Sequence, residues 1–294
     1  MNDTITAVAG IEVGHWTDTE AATGCTVVSL PEPNVVACEV RGAAPGTRET
    51  ALLATGMRVE QCQALLLTGG SAFGLAAADG VVAGLVADDR GHDTGLVKVP
   101  IVPAAVIFDI SEGSPDRRPG PEEGRAAYDA RSSEPVPLGR VGAGTGATAA
   151  KWRGFESRVP GGLGSAVRKV RDATVGALVV ANPVGDVFSI DGSSLTGGIH
   201  EPGPPELFPP DQTNSTLIVV ATDAHLTRVE LTRVLVRAHD ALAVCVRPAH
   251  TRFDGDVAFA VSCGDRDAGV DAVSEAAFGA TAAAIEYAIL AGKK

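Results

Sequence analysis

The sequence predicts a mixed α/β fold, with strands and helices in both halves of the chain. Short Val-rich runs bounded by turn residues indicate strands, among them residues 25–30 and 35–42. A buried strand at 64–68, a glycine turn and an Ala-rich helix from about Ser71 form a strand-turn-helix unit. An apolar helical pattern over 270–292 ends the chain. With 294 residues, of which 45% are hydrophobic, the chain can build one large core or two small ones.

The remaining elements follow from periodicity and turn composition. In chain order they are a helix from Thr47, a surface excursion with a helical patch within 111–139, two strands within 173–190, a loop over 196–214, a strand over 215–224, an amphipathic helix over 226–243 and a strand over 256–263. So long a loop is uncommon in a compact domain unless it is functional or mobile. Because the excursion requires no domain boundary, we expect a single domain over 1–294.

Charge and cysteine content argue against several partners and sites. The formal net charge of -12 opposes binding to nucleic acid or to an anionic membrane, because phosphate binding needs clustered Lys and Arg. Five widely spaced cysteines without a CxxC pair predict reduced thiols, not a disulfide framework or a zinc site. The first residues lack the apolar core of a signal peptide, and no later run has membrane-spanning length. We expect a cytoplasmic protein with no nucleic-acid and no membrane partner.

No metal or cofactor motif is present in the sequence. The six histidines are scattered, without HExxH or a paired carboxylate spacing, so we expect no metal. Gly142, Gly144 and Gly146 precede Lys151, but they match neither a phosphate loop nor a dinucleotide fingerprint. Lys151 itself is either a solvated lysine, which is the default, or an ammonium held against a carbonyl by glycine-rich backbone. Any covalent chemistry then comes from side chains.

Two short motifs have both a structural and a functional interpretation. Ser71 lies at a strand-to-helix turn, but Phe73 stands where a nucleophile elbow needs Gly, so the motif is a capped turn or a set of backbone N–H groups facing a substrate. Asp254 and Asp256 flank Gly255 just before a strand. Asp-Gly-Asp is usually a turn, although two close carboxylates can also orient a base or share a proton.

A third motif joins the long loop to a strongly apolar strand in "NSTLIVVA", which begins at Asn214. Small polar residues there are typical of a strand cap. The alternative is self-cleavage, in which the Ser215 hydroxyl attacks the Asn214 carbonyl. Hydrolysis of the resulting ester would leave Ser215 with a free α-amine, the adjacent base that an ordinary serine lacks.

Six segments together resemble one known family, the DmpA-type L-aminopeptidase/D-amidase-esterases. In order they are LLLTGGSAFGLAAADGV, VPIVPAAVIFDI, GAGTGATAAKWRGF, VGALVVANPVGDV, NSTLIVVATDA and HTRFDGDVAFA. The family includes β-peptidyl aminopeptidases and nylon-oligomer endo-hydrolases. The resemblance implies an N-terminal-nucleophile-like hydrolase with a four-layer αββα sandwich, made as one precursor that cuts itself into residues 1–214 and 215–294.

The resemblance also implies the central residues of the site. Ser215 takes the position of the nucleophile that follows an Asn at the self-cleavage bond. Thr216 is the rival position, and the register to VVATDA favours Ser215. Asn182, in VVANPVG, matches the Asn whose side-chain N–H binds the oxyanion, a donor whose loss lowers rates by about a hundred- to a thousandfold.

The flanking residues suggest a branch of the family. Lys151 matches a lysine that helps to arrange the site of the nylon hydrolases, and Asp254 and Asp256 match their aspartate pair, where β-aminopeptidases carry Ser and Glu. Phe108 departs from the pattern, since some members have Tyr there and Phe has no hydroxyl to donate. The implied activity is a serine aminopeptidase or amidase that works through an acyl-enzyme.

The resemblance further implies that Gly70 and Ser71 line the same cleft, that no cofactor is needed, and that the protein is a homo-oligomer, with a tetramer suggested. Two other functions are alternatives. One is an acyltransferase resembling the ornithine acetyltransferases, which also cut themselves before a Thr. The other is an uncut binding or assembly scaffold that keeps the fold without the chemistry.

Overall fold

Two five-stranded sheets form the centre of this protein in a computed structural model, which describes residues 2–205 and 214–294. Their strands are β1 (Glu12–Asp18), β2 (Thr23–Ser29), β3 (Val35–Val40), β4 (Thr47–Arg48), β5 (Ala64–Thr68), β6 (Ala104–Val106), β7 (Gly162–Val170), β8 (Ala173–Asn182), β9 (Ser215–Ala224) and β10 (Val257–Arg266). Sheet A has the spatial order β1-β2-β5-β6-β4, and sheet B has the order β7-β8-β9-β10-β3.

Both sheets use the same sequence of pairings. From the first strand to the last, neighbours pair antiparallel, antiparallel, parallel and antiparallel, so the parallel pair is β5–β6 in sheet A and β9–β10 in sheet B. Among the described residues, three two-residue ladders lie outside the sheets and pair His92–Asp93 with Lys98–Val99, Thr148–Ala149 with Val159–Pro160, and Asp186–Val187 with Val246–Arg247.

Helices cover the outer face of each sheet. The α-helices of the described residues are α1 (Ala77–Ala87), α2 (Pro121–Asp129), α3 (Arg228–Cys245) and α4 (Val270–Gly292). The pair α1 and α2 packs on sheet A, and the pair α3 and α4 packs on sheet B. The order of layers is therefore helix, sheet, sheet, helix, and the predicted αββα sandwich is confirmed.

Strand β9 illustrates why the layers stack in this order. Alternate residues of a strand point to opposite faces, and β9 is apolar on both. Leu217 and Val219 belong to the core between the two sheets, whereas Ile218 and Val220 belong to the core under α3 and α4. Burying side chains of this size is worth about 1.5–3 kcal/mol each, so the strand is held from both sides.

The predicted helix from Thr47 is wrong. Thr47 and Arg48 instead form β4 by pairing with β6, and Glu49 has a left-handed backbone with φ of 56°. Only the short 3₁₀ turn Thr50–Leu53 follows. Pairing with a distant strand has overridden the local helical pattern. For the loop predicted over 196–214, residues 206–213 lie outside the described residues.

Helix α4 corrects the expectation about membrane-spanning length. Among the described helices, it is long and apolar enough to cross a membrane by length and composition alone, with 23 residues. About half of its most apolar stretch, 56%, is buried within the molecule, where α4 contacts β7, β8 and α3. A core helix has the same properties, so the composition of α4 is accounted for by its packing.

Candidate active site

Two central strands of sheet B bring Ser215 and Asn182 together. Ser215 is the first residue of β9 and lies opposite Asn182, the last residue of β8. Alternation places their side chains on the face that carries Leu217 and Val180, which is turned towards sheet A. Both residues are buried. The site at these strand ends therefore lies between the two sheets and not on the outer surface.

The Asn214–Ser215 junction is built into sheet B. Asn214 extends the parallel pairing of β9 and β10 by bridging to Asp254. Its N–H donates to Phe253 O at 2.7 Å, and its carbonyl accepts from Gly255 N–H at 2.5 Å. The segment Asp254 to Asp256 is thus paired backbone beside the junction, and the interpretation of Asp-Gly-Asp as a turn is wrong.

The side-chain amide of Asn182 has one defined orientation. Its Oδ1 accepts two hydrogen bonds, from Thr148 N–H at 2.9 Å and from Lys151 Nζ at 3.1 Å. Because both partners are donors, the hydrogen-bond network assigns this atom as oxygen. The Nδ2 group then points the other way, where the carbonyl of Phe108 lies 3.4 Å away. The amide donor therefore faces Phe108, which lies in the segment that follows β6 of sheet A.

Lys151 is buried, so the interpretation as a solvated lysine is wrong. Its ammonium donates to Thr148 O at 2.8 Å, Thr148 Oγ1 at 3.0 Å and Asn182 Oδ1. Burial lowers the pKa of Lys151 to about 7, although the negative charges of Glu112 and Asp254 oppose that shift. An amine with this pKa exchanges protons near neutral pH, while its hydrogen bonds position Asn182.

The two aspartates are both buried, and they have different partners. Asp254 Oδ1 accepts from Val184 N–H at 3.1 Å, and its Oδ2 accepts from the N–H and hydroxyl of Thr251 at 3.0 and 2.6 Å. Burial is the larger cause, and repulsion from Asp256 the smaller cause, that raises the pKa of Asp254 to about 6. This carboxyl therefore takes up a proton in mildly acidic conditions, as a group that handles protons must.

Asp256 connects the start of β9 to a histidine. Its Oδ1 accepts from Thr216 N–H at 2.7 Å, directly after the nucleophile candidate. Its Oδ2 accepts from the backbone N–H of His250 at 3.2 Å and from the ring Nδ1 at 2.8 Å. Since a carboxylate only accepts, these contacts assign the proton of the ring to Nδ1. Asp256 thereby positions the backbone that carries Ser215.

Gly70 and Ser71 form the turn after β5, and their amide groups are engaged within the protein. Gly70 N–H donates to Asp109 Oδ1 at 2.7 Å, and Ser71 N–H donates to Ile107 O at 3.0 Å. The interpretation in which these amides face a substrate is therefore wrong, and the structure supports the turn. Asp109 directly follows Phe108, so the turn is tied to the segment beside Asn182. That Gly70 and Ser71 line the cleft stays a prediction.

The structure adds residues that the sequence motifs did not single out. Thr148 supplies two acceptors and one donor to the Lys151–Asn182 cluster, and Asp109 is a buried carboxylate whose pKa burial raises to about 6. His250 and Thr251 hold the two aspartates. An acidic residue inside the apolar run VIFDI was the available signal for Asp109. The other three have no local signal, because their partners are fixed by the fold.

A metal centre requires several ligating side chains within reach of one point. Among residues 2–205 and 214–294, no group of three or more His, Cys, Asp or Glu side chains is arranged to hold a metal ion.

Comparisons with known proteins find relatives of this chain. Residues 3–294 match the model of the family described as peptidase family S58. The chain is 42% identical over 294 residues to an uncharacterised aminopeptidase of Mycobacterium leprae, covering 89% of this chain and 79% of that protein. It is 30% identical over 273 residues to a 6-aminohexanoate-oligomer endohydrolase of Paenarthrobacter ureafaciens, covering 88% of this chain and 74% of that protein.

The fold also matches a solved structure. The L-aminopeptidase D-Ala-esterase/amidase of Ochrobactrum anthropi, described as a variant of the Ntn hydrolase fold, aligns with a TM-score of 0.77 at 22% identity. The alignment covers 98% of this chain and 86% of that one. The predicted resemblance and the predicted fold class are therefore confirmed.

Proposed function

We propose that this chain, which belongs to peptidase family S58, is a self-cleaving serine aminopeptidase or amidase with Ser215 as its nucleophile. Family membership and the relatives show that the chain is a hydrolase of peptide or linear amide bonds. The proposal adds the self-cleavage, the nucleophile and the roles of the residues around it.

The observation that carries the proposal is the position of the Asn214–Ser215 bond. Both residues are buried at the start of a central strand, with Asn182 opposite and Gly255 alongside. In the first step, Ser215 Oγ bonds to the Asn214 carbonyl carbon, the C–N bond breaks, and the hydroxyl proton passes to the departing nitrogen. Water then hydrolyses the ester, which leaves an Asn214 carboxylate and a Ser215 with a free α-amine.

The same serine would then act on substrates. The α-amine, with an ordinary pKa of about 7.7 to 8.0, accepts the hydroxyl proton as Ser215 attacks the substrate carbonyl. Asn182 Nδ2 donates to the oxyanion, because Thr148 and Lys151 occupy the other end of the amide. The proton passes to the departing amine, and water releases the acid from the acyl-enzyme. Asp254 and Lys151 exchange protons near the working pH.

Peptides or linear amides are the proposed substrates. The relative from Paenarthrobacter ureafaciens acts, by its name, on oligomers of 6-aminohexanoate. Asp254 and Asp256 resemble the aspartate pair of that branch, and here they sit beside the junction. Phe108 contributes its backbone carbonyl at 3.4 Å from Asn182 and has no hydroxyl to offer a substrate.

Mass spectrometry of the purified protein tests the proposal. We expect fragments 1–214 and 215–294, with Ser215 as the new N-terminus, and hydrolysis of aminoacyl p-nitroanilides by the cut protein. Ser215→Ala should remain uncut and inactive. A protein that stays whole would favour the uncut scaffold, and turnover by Ser215→Ala would show that the nucleophile is another residue.

The matched control is the neighbouring hydroxyl. Thr216 Oγ1 is buried and has no hydrogen-bond partner among the described residues, so Thr216→Val removes it at nearly constant shape. We expect Thr216→Val to be cut at the same bond. Failure of this variant to cut, together with cutting of Ser215→Ala, would move the nucleophile to Thr216.

Location and assembly complete the proposal. We propose a cytoplasmic location, which is supported by five cysteines that are all free thiols in the described residues. A homo-oligomer is proposed from the family resemblance alone. Size-exclusion chromatography with light scattering on the cut protein measures the subunit number directly.

A further inference from the structure

The carbonyl of the proposed cleavage bond already has a hydrogen-bond donor in the uncut chain. Gly255 N–H donates to Asn214 O at 2.5 Å, and Asn214 N–H donates to Phe253 O at 2.7 Å. These two bonds continue the parallel pairing in which Leu217 lies opposite Val257. The ladder therefore directs an amide N–H at the oxygen that becomes negatively charged when the carbonyl is attacked.

The attacking hydroxyl lies next to the same glycine. A Cβ atom added to Gly255 would come within 2.7 Å of Ser215 Oγ and within 2.5 Å of Ala44 O. Real Cβ atoms do not approach other atoms so closely, so the hydroxyl occupies space that only glycine leaves open. The hydroxyl of Ser215 and the N–H that donates to Asn214 O thus both lie at Gly255.

Neighbouring hydrogen bonds fix Gly255 on both sides. Ala44 N–H donates to Asp254 O at 2.9 Å, and Arg41 N–H donates to Asp256 O at 3.0 Å. The Asp256 carboxylate in turn accepts from Thr216 N–H on β9. A donor fixed in this way needs no reorganisation when charge develops, which is the condition for strong oxyanion stabilisation.

We propose that Gly255 N–H is the oxyanion donor for self-cleavage, a role distinct from that of Asn182 Nδ2 in substrate hydrolysis. The inference rests on the proposed cleavage at Asn214–Ser215. As Ser215 Oγ bonds to the Asn214 carbonyl carbon, the π-electron pair moves onto Asn214 O, where Gly255 N–H holds it. The pair returns as the C–N bond breaks and the proton from Oγ leaves on the Ser215 nitrogen.

A backbone ester at position 255 tests the donor without changing a side chain. Cell-free synthesis of the full chain with glycolic acid in place of Gly255 replaces the N–H with an oxygen. We expect the rate constant of self-cleavage to fall by about a hundred- to a thousandfold, the usual effect of losing one oxyanion donor. Substitution by Ala is not a clean test, because its Cβ would displace the Ser215 hydroxyl.

The matched control is an ester at Ala44, made with lactic acid. It removes the hydrogen bond to Asp254 O, on the same segment, and leaves the donor to Asn214 in place. We expect it to slow cleavage by about fivefold at most, since one ordinary hydrogen bond is worth about 1 kcal/mol. Equal slowing by both esters, or a wild-type rate with the ester at 255, would overturn the inference. If the wild-type chain is not cut, the proposed self-cleavage fails instead.

A spectroscopic measurement checks the hydrogen bond itself. In the uncut Ser215→Ala chain, a ¹³C label on the Asn214 carbonyl gives its own infrared band. The ester at 255 should move this band to higher frequency, because the carbonyl loses its donor, and the ester at 44 should leave it in place. An unchanged band with the ester at 255 would contradict the proposal.

Discussion

The orientation of the Asn182 amide decides which of its atoms meets a substrate. Lys151 and Thr148 both donate to Oδ1, so a flipped amide would place two donors against the NH₂ group of Asn182. Leaving buried donors without acceptors costs about 1–3 kcal/mol each, and the flipped form is therefore disfavoured. The two residues act on the reaction through Asn182, by keeping its N–H directed into the site.

Removing the Asn182 donor should lower kcat much more than it raises KM. We expect Asn182→Ala and Asn182→Asp to lose about a hundred- to a thousandfold in kcat, because the interaction forms with the developing oxyanion. Asp keeps an acceptor for Lys151 and Thr148, and it lacks the N–H. Rates on aminoacyl p-nitroanilides, divided by the fraction of cut chains, give the comparison.

Thr148→Val is the matched control for this prediction. It removes the Thr148 Oγ1 acceptor from Lys151 and keeps the backbone N–H that orients Asn182. A loss of about fivefold corresponds to one ordinary hydrogen bond. If this variant loses as much as Asn182→Asp, a disturbed Lys151 accounts for the loss, and the missing N–H of Asn182 does not.

At this scale the sequence could identify candidates but not their environments. The family resemblance identifies Asn182 and the glycine-rich motif identifies Lys151, but nothing in GATAAK predicts that the lysine is buried. Its burial depends on Thr148 and on the end of β8, which the fold brings together. At Gly70 and Ser71 the motif suggested free amide groups, but both amides donate hydrogen bonds within the protein. Their acceptors, Asp109 and Ile107, lie far away in the sequence.

Among the elements, the segment from His250 to Asp256 determines how β9 begins. His250 has a left-handed backbone, with φ of 55°, and its ring Nδ1–H donates to Asp256 Oδ2. Asp256 Oδ1 then accepts from Thr216 N–H. The histidine thus positions the start of the strand through one carboxylate, without a hydrogen bond of its own to Ser215 among the described residues.

Substitutions at His250 should separate its hydrogen bond from its backbone conformation. Asn tolerates a left-handed conformation and offers a side-chain N–H, Gly tolerates the conformation without a donor, and Ala provides neither. We expect the rate of self-cleavage to follow the order wild type, His250→Asn, His250→Gly, His250→Ala. The cutting rates of His250→Asn and His250→Gly should differ by an amount that corresponds to one hydrogen bond to a charged group, about 1.5–3 kcal/mol.

Time courses of cutting in freshly refolded full chain measure this order, and thermal unfolding of the same variants in the uncut Ser215→Ala background measures stability. A role limited to stability would lower the melting temperature of His250→Gly and leave its cutting rate at the level of His250→Asn. Equal cutting rates for Asn and Gly would therefore contradict positioning through Asp256.

Elements were predictable where the local pattern and the tertiary structure agree. Both the strand over 215–224 and the helix over 270–292 have the predicted bounds, because their apolar faces coincide with the packed faces. The helix expected from Thr47 fails because β6 pairs with that segment across a long separation in sequence. Periodicity contains no information about such a partner.

In the whole molecule, the two proposed cleavage products are interleaved in sheet B. Strands β9 and β10 come from residues 215–294, and they lie between β8 and β3, which come from residues 1–214. Helix α4 of the smaller piece packs across β7 and β8 of the larger one. The sheet is therefore continuous across the cut, and a break at Asn214–Ser215 leaves the site between the sheets assembled.

This arrangement could not be obtained from the periodicity of the sequence. The unbroken apolar run LIVVA predicts that β9 is buried on both faces, but not that its neighbours are β8 and β10. The αββα order came from the family resemblance, which covers nearly the whole chain. Pairings such as that of Asn214 with Asp254 cannot be predicted from the sequence pattern, because they form only in the folded sheet.

The stability of the molecule should rise with pH between 7 and 8 because of Lys151. Its pKa is lowered from 10.5 to about 7 in the folded protein, so over this range the unfolded chain binds a proton that the folded chain does not. The free energy of unfolding then increases by at most about 1.4 kcal/mol per pH unit, and this contribution is lost as the pH falls through 7. Buried His239, with its pKa lowered to about 4, titrates below this window. Burial raises the pKa of the five cysteines from 9.0 to about 11 or 12, so their ionisation in the unfolded chain opposes the rise as the pH approaches 9.

Urea unfolding of the uncut Ser215→Ala chain at a series of pH values measures this slope, because a single continuous chain avoids the concentration dependence of two fragments. In the same background, Lys151→Met should have a nearly flat profile from pH 7 to 8. Lys98→Met removes an exposed lysine and should retain the slope. A flat profile before Lys151 is replaced would mean that the buried amine keeps its proton in the folded chain, and Asn182 would then be held by an ammonium at every working pH.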